Sequence, residues 1–148
     1  MKLTLLLLGI LSAASAADVD IYTTKDFREM EQKLEKKGAP FASQDLEKYG
    51  NHYTMLALRE ATGSAEVHER EADIFVIETG EAVIQTGGTL INPRKQKPGE
   101  LRGTGITGGE KHTLAAGDVI HIPAGVPHQL LIQKGQPFSY FVVKVTDQ

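Results

Sequence analysis

From Gly50 to Val145 the chain consists of short β-branched and apolar runs, each cut off by Gly, Pro or a polar cluster. This punctuation constrains the fold more than any other feature. The runs His52–Arg59, Ala65–His68, Ile74–Glu78, Ala82–Thr86, Asp118–Ile122, Gln129–Ile132 and Ser139–Val145 read as strands. Thr79-Gly80-Glu81 and Pro123-Ala124-Gly125 supply turn chemistry between them. With 15 Gly and 6 Pro in 148 residues, the chain turns too often for long helices. Many short strands with frequent turns point to a sandwich or barrel rather than a helix-covered parallel sheet. Gly87–Gly109 lacks alternation and holds seven Gly plus Pro93 and Pro98, so it reads as a long connection, with Arg94–Lys97 as a solvated tip.

Two segments precede the β-rich part. Met1-Lys2 is a short basic start, Leu3 to Leu11 is nearly all apolar, and small residues run from Ser12 to Ala17. That order is expected of a secretory signal, and the apolar run is shorter than the roughly 20 residues a spanning helix needs. Next, Phe27, Met30 and Leu34 recur at helical spacing within Thr24–Lys37, with Thr23 or Thr24 to cap the start and Gly38-Ala39-Pro40 to stop it. The expected helix packs on the outside of a barrel or on a partner subunit. Phe41 to Tyr49 is polar and mixed, and reads as a loop with one helical turn. The expected organisation is therefore a signal over 1–17, a helix and loop over 18–49, and a barrel over 50–148.

Composition excludes some chemistry. The chain has no Cys, which removes disulfides, thiol nucleophiles and thiolate zinc sites. A net charge of −3 lacks the basic stripe that nucleic-acid binding needs. The mature protein is expected to be exported, in the periplasm or outside the cell, with no membrane attachment after the signal is cleaved.

The residues with chemical potential fall in two segments, Gly63–Gly80 and Gly117–Ile132. In a strand, residues i and i+2 face the same side, so Glu66 and His68 point together. If His68 faces inward, so does Glu66, and a buried carboxylate needs a partner, for which a metal ion would serve. Asp73 heads the next run on the face of Phe75 and Ile77, and His128 shares a face with Leu130 and Ile132.

These segments resemble the two sequence motifs of the cupin family. Gly117, Pro123, Gly125 and His128 match the second motif, G-x5-P-x-G-x2-H-x3-N, at its spacings, while Ile132 stands where the family has Asn. The first motif is degenerate: anchored on Gly80, it places Asp73 at the family's Glu, His68 at its second His and Glu66 at its first His. The resemblance covers about Gly50 to Val145. It implies an all-β double-stranded β-helix, a jelly-roll barrel, here with one N-terminal α-helix. It also implies one divalent metal inside the barrel, with Glu66, His68, Asp73 and His128 as the ligand set. Two His and two carboxylates suit Mn or Fe best, with Zn or Ni as further candidates. Asp73, one methylene shorter than Glu, has the alternative of orienting a ligating His.

The other candidates read more plainly. His121 alternates with Ile120 and Ile122 and reads as structural. His112 is solvated or a fifth ligand, and His52 opens the first strand. Arg59 and Arg102 could bind an anionic substrate or lie on the surface. The leading expectation is an exported metal-dependent cupin, a homodimer, acting on a small organic molecule by oxygenation or Lewis-acid chemistry, with no residue yet assigned a catalytic role. The alternatives are a non-enzymatic module for a sugar or other small molecule, and a metal-free structural barrel.

Overall fold

The computed structural model describes residues 19–147. The secretory signal expected over 1–17 lies outside them. The described chain opens on helix α1 (Thr24–Glu35), whose start is set locally. Thr23 Oγ1 accepts from the Asp26 amide at 3.3 Å, and the Thr23 amide donates to Asp26 Oδ2 at 2.8 Å. This reciprocal cap satisfies amides that a first helical turn leaves unpaired. Gly38, at φ +60°, follows the helix end.

Thirteen strands follow: β1 (Phe41–Lys48), β2 (His52–Arg59), β3 (Ala65–His68), β4 (Glu71–Thr79), β5 (Glu81–Thr86), β6 (Thr89–Ile91), β7 (Arg94–Lys97), β8 (Glu100–Gly103), β9 (Gly105–Thr107), β10 (Glu110–Ala115), β11 (Val119–Ile122), β12 (His128–Leu131) and β13 (Phe138–Thr146). They form a five-stranded sheet in the order β1-β2-β13-β4-β11 and a six-stranded sheet in the order β10-β5-β12-β3-β8-β7, with β6 and β9 paired apart. All of the pairings are antiparallel.

The core lies between the sheets. Ala57, Phe75, Ile77, Ile84, Leu130, Phe138, Tyr140 and Val142 form one buried cluster with Ala82, Leu114, Ile122 and Ile132. Period-two alternation supplies it: Phe138, Tyr140 and Val142 are one face of β13, and Phe75 and Ile77 one face of β4. β2 is buried on both faces. Ala57 points to the inner core, whereas Leu56 and Leu58 join Leu34 and Ala42 beneath α1, with Phe27 and Met30 packed against them. The apolar helix stripe thus covers the outside of the five-stranded sheet, as expected. One polar contact pins it there: Ser139, fully buried on β13, donates to Glu31.

Two expectations are corrected. Phe41–Tyr49 is not a loop with a helical turn, since residues 41–48 are strand β1, paired with β2 from Phe41↔Arg59 onward. An edge strand with one covered face carries a polar, irregular sequence, and that hides its period. Gly87–Gly109 is not one long connection, because it holds β6 to β9. Arg94–Lys97 is exposed, as a solvated tip would be, but is itself strand β7 at a sheet edge. Neither face of β7 is buried, so no alternation marks it.

Gly80 sits between β4 and β5 at φ +81°, where a Cβ would overlap the Pro137 carbonyl oxygen. Gly38 has a similar φ with open space around it. Gly38→Ala should therefore cost only the left-handed strain, about 1–2 kcal/mol. Gly80→Ala should cost about 3 kcal/mol or more, because the Pro137 backbone must also move. Urea midpoints of the two variants measure the difference, and equal losses would contradict this account of the turn.

Candidate metal centre

Strand register brings the charged residues together. Glu66 lies opposite His128 on one side and Arg102 on the other. His68 lies opposite Glu100. In the facing sheet, Asp73 lies opposite Lys144 and Ile122. All of these residues except Ile122 line one cavity of about 400 Å³, as does Arg59 at the end of β2. Asp73 reaches it from one sheet, and Glu66, His68 and His128 from the other.

The donor atoms converge. Ligand atoms of Glu66, His68 and His128 all lie within 4.8 Å of one another. His68 Nε2 is 3.3 Å from Glu66 Oε2 and 3.6 Å from Asp73 Oδ2, and His128 Nε2 is 3.5 Å from the same Asp73 oxygen. Donors bound about 2.1 Å from one ion stand about 3.0–3.4 Å apart, close to these spacings. His68 Nε2 and both Asp73 oxygens are buried without an aligned hydrogen bond. Buried polar atoms are ordinarily paired, so these mark a place where something polar belongs. Glu66, His68 and His128 offer two imidazoles and a carboxylate that could hold a divalent cation, with Asp73 Oδ2 beside both imidazoles but outside that mutual group.

Local structure holds each donor. The turn Pro123–Gly125 closes through the Val126 amide on the Pro123 carbonyl. Gly125, at φ +78°, donates its amide to the His68 carbonyl at 2.8 Å, tying the turn to the end of β3. His128 Nδ1 lies 3.1 Å from the Val126 carbonyl oxygen. With Nδ1–H donated there, the Nε2 lone pair faces the cluster. The Phe75 ring packs edge-on against the His128 imidazole, with 6.4 Å between centroids.

Each carboxylate also has a cation. Lys144 Nζ lies 2.6 Å from Asp73 Oδ1, an ion pair without hydrogen-bond alignment. Arg59 Nη2 reaches Glu66 Oε1 at 3.1 Å, and Arg102 Nη1 contacts the same oxygen. Burial pushes the Glu66 carboxyl up, but the His68 ring beside it and the Arg102 and Arg59 charges outweigh that, leaving Glu66 well below the usual carboxylate range. Burial holds His128 below the usual imidazole value, against the opposing pull of Asp73. Glu66 is thus ionised and His128 neutral near pH 7, the states in which carboxylate and imidazole donate to a metal.

All four residues singled out from the sequence, Glu66, His68, Asp73 and His128, meet in this cavity. Arg59 and Arg102 line it too, with Arg59 buried and the Arg102 side chain 31% exposed. His121 and His112 are exposed on β11 and β10, away from the cluster. His121 therefore packs in no core, and His112, 3.5 Å from Glu110, is no fifth ligand. His52 stacks on Tyr49 with 4.4 Å between centroids. Ile132 joins the apolar core, as its position beside Leu130 implies. Sequence reasoning missed Lys144 and Glu100. Lys144 continues the inward face Phe138, Tyr140, Val142, so alternation alone could have placed it. Glu100 emerges only from the pairing of β8 with β3.

Comparisons with known proteins bear on the fold. Residues 98–144 match the family model described as a cupin domain. That span holds the second motif and excludes the degenerate first one. No curated protein matches the sequence. Among solved structures, BH2720 from Bacillus halodurans superposes with a TM-score of 0.55 at 16% identity, covering 80% of this chain and 79% of that one. A cupin superfamily protein from Desulfitobacterium hafniense DCB-2 gives a TM-score of 0.51 at 19% identity, covering 72% and 78%. The DMSP lyase DddQ from Ruegeria pomeroyi DSS-3 gives 0.52 at 21% identity, covering 73% of this chain but 48% of that one. The family match over residues 98–144 and these barrel-shaped neighbours together support the cupin barrel as the fold of this chain.

Proposed function

We propose that this protein is an exported, metal-dependent cupin enzyme acting on a small organic molecule. Glu66, His68, Asp73 and His128 would hold one divalent ion, Mn or Fe by preference, since hard oxygen and imidazole donors suit those ions and no thiolate is present. The observation that carries this reading is the pair of buried atoms without a hydrogen bond, His68 Nε2 and Asp73 Oδ2, facing donors of Glu66 and His128. When bound, such an ion supplies Lewis-acid polarisation of a substrate oxygen or a redox partner. The N-terminal basic, apolar and small-residue order supports export, and the helix-bearing face is where a homodimer would form.

The surrounding residues prepare this site. Arg59 and Arg102 occupy Glu66 Oε1 and leave Oε2 toward His68. Lys144 holds Asp73 Oδ1 and leaves Oδ2 toward both imidazoles. Val126 fixes the ring of His128. Met55, Phe75, Leu130 and Val142 form the apolar wall that excludes water from the substrate.

One observation favours a second reading. Each carboxylate already has a cationic partner, so the ion pairs alone can hold the charges inside the barrel. In that reading the barrel is a metal-free binding module.

Elemental analysis separates the two. Protein purified without metal resin should carry about one Mn or Fe per chain, and the His68→Ala/His128→Ala double variant none. Failure of the native protein to take up added Mn, Fe, Zn or Ni would leave the metal-free module. Acid stability tests the charge state of Glu66 in metal-free protein. Its folded value lies below its unfolded value of about 4.3, so its contribution is complete above that pH and is lost as pH falls toward the folded value. Glu66→Gln should remove about one proton from the slope of stability against pH below that point, about 1.4 kcal/mol per pH unit. Parallel curves for the native protein and the variant would contradict the ionised, arginine-held carboxylate.

A further inference from the structure

We infer that the molecule this cavity accepts is an organic anion, with a carboxylate seated on Arg59 and Arg102 and an apolar body against Met55, Phe75 and Leu130. This deepens the metal-dependent reading and rests on it. The first argument is charge. The cavity is lined by four cationic side chains, Arg59, Lys97, Arg102 and Lys144, and four carboxylates, Glu66, Glu71, Asp73 and Glu100. With both imidazoles neutral, as ligation requires, the protein's own charges cancel. A divalent ion then adds two positive charges that no side chain balances. Uncompensated charge in a buried site is costly, so the ligand that completes the site is negative.

The second argument is the arginine geometry. Two guanidiniums share one oxygen, Glu66 Oε1, and so leave donors over. Arg59 is fixed on several sides. Its Nε donates to the Tyr140 hydroxyl at 2.9 Å, and its guanidinium lies 4.6 Å from the Phe41 ring centroid. Gly63 lets the backbone approach so closely that a Cβ there would overlap Arg59 Nη1. Among the described residues Nη1 has no hydrogen-bond partner. It is a donor held in place with no protein acceptor, which is how a preorganised carboxylate or phosphate subsite is built. Arg102 adds a second guanidinium, anchored to Glu100 through Nε at 2.6 Å and still open to solvent. Met55, Phe75, Leu130 and Val142 supply an apolar stretch of the wall, so a carboxylate on a hydrocarbon body fits better than bare phosphate.

The probes are propionate, hexanoate, phenylacetate and 3-phenylpropionate, each beside its neutral amide, titrated by calorimetry into Mn-loaded protein of measured metal content. At least one carboxylate should bind tenfold or more tightly than its amide, and at least tenfold more tightly to loaded than to metal-free protein. Arg102→Gln, compared with the native protein at equal measured metal content, should cut carboxylate affinity about tenfold while amide affinity changes less than twofold. Arg102→Lys should restore part of the loss. Arg59→Gln should act the same way if it folds. Metal uptake with no carboxylate preferred over its amide would overturn this inference and leave the metal site standing. A preference that persists in full in Arg102→Gln and Arg59→Gln would overturn the arginine subsite. Failure to take up metal would overturn the metal reading and this inference with it.

Discussion

Glu66 and Asp73 are the buried carboxylates that face the two imidazoles, and the strand register ensures that neither stands alone. Glu66 is flanked by His128 and Arg102 as direct neighbours across its two strand pairs, and Asp73 is flanked by Lys144. A lone buried carboxylate would protonate or destabilise the fold. Because register fixes the partners, a slip of one residue on β3, β4, β12 or β13 would turn the charges outward and the apolar faces with them. Core packing and site assembly are therefore one constraint: the alternation that buries Phe138, Tyr140 and Val142 also delivers Lys144 to Asp73.

Much of this is legible in the sequence because the site lies on strands. Glu66, His68, Asp73 and His128 can be located from the family spacing and from period two, and the seven strands read from alternation appear within a few residues of their expected bounds. Lys144 was within reach by the same rule. What alternation cannot supply is pairing. Glu100 and Arg102 belong to β8, inside a stretch whose sequence shows no period because its edge neighbour β7 is solvated on both faces. Their contribution depends on which strand lies beside β3, a long-range fact. Phe41–Lys48 is hidden for a related reason, since its partners and its covering helix are not local in sequence.

The departures from the family pattern also form a set. A carboxylate at position 66 in place of an imidazole adds a negative charge, and Arg59 and Arg102 both meet it. Asp at 73 is shorter than Glu, and Lys144 holds it from the opposite strand. Ile at 132 removes a polar group from the far end, where the residue packs into the core. The polar chemistry is thus gathered toward one end of the interior, and the other end is left to hydrocarbon packing.

The all-exposed strand β7 forms one edge of the six-stranded sheet, and β8, which carries Glu100 and Arg102, lies between it and β3. Strands at a sheet margin lose their backbone hydrogen bonds before interior ones, because less apolar surface must be uncovered to release them. Fraying from β7 inward would thus reach the Arg102 guanidinium two strands in, while β3 and its ligands remain paired to β12. The Lys97 and Arg102 side of the cavity would then be the most labile part of the site, and the donor cluster the least. Amide protection should rise from β7 to β8 to β3, a gradient set by sheet order alone.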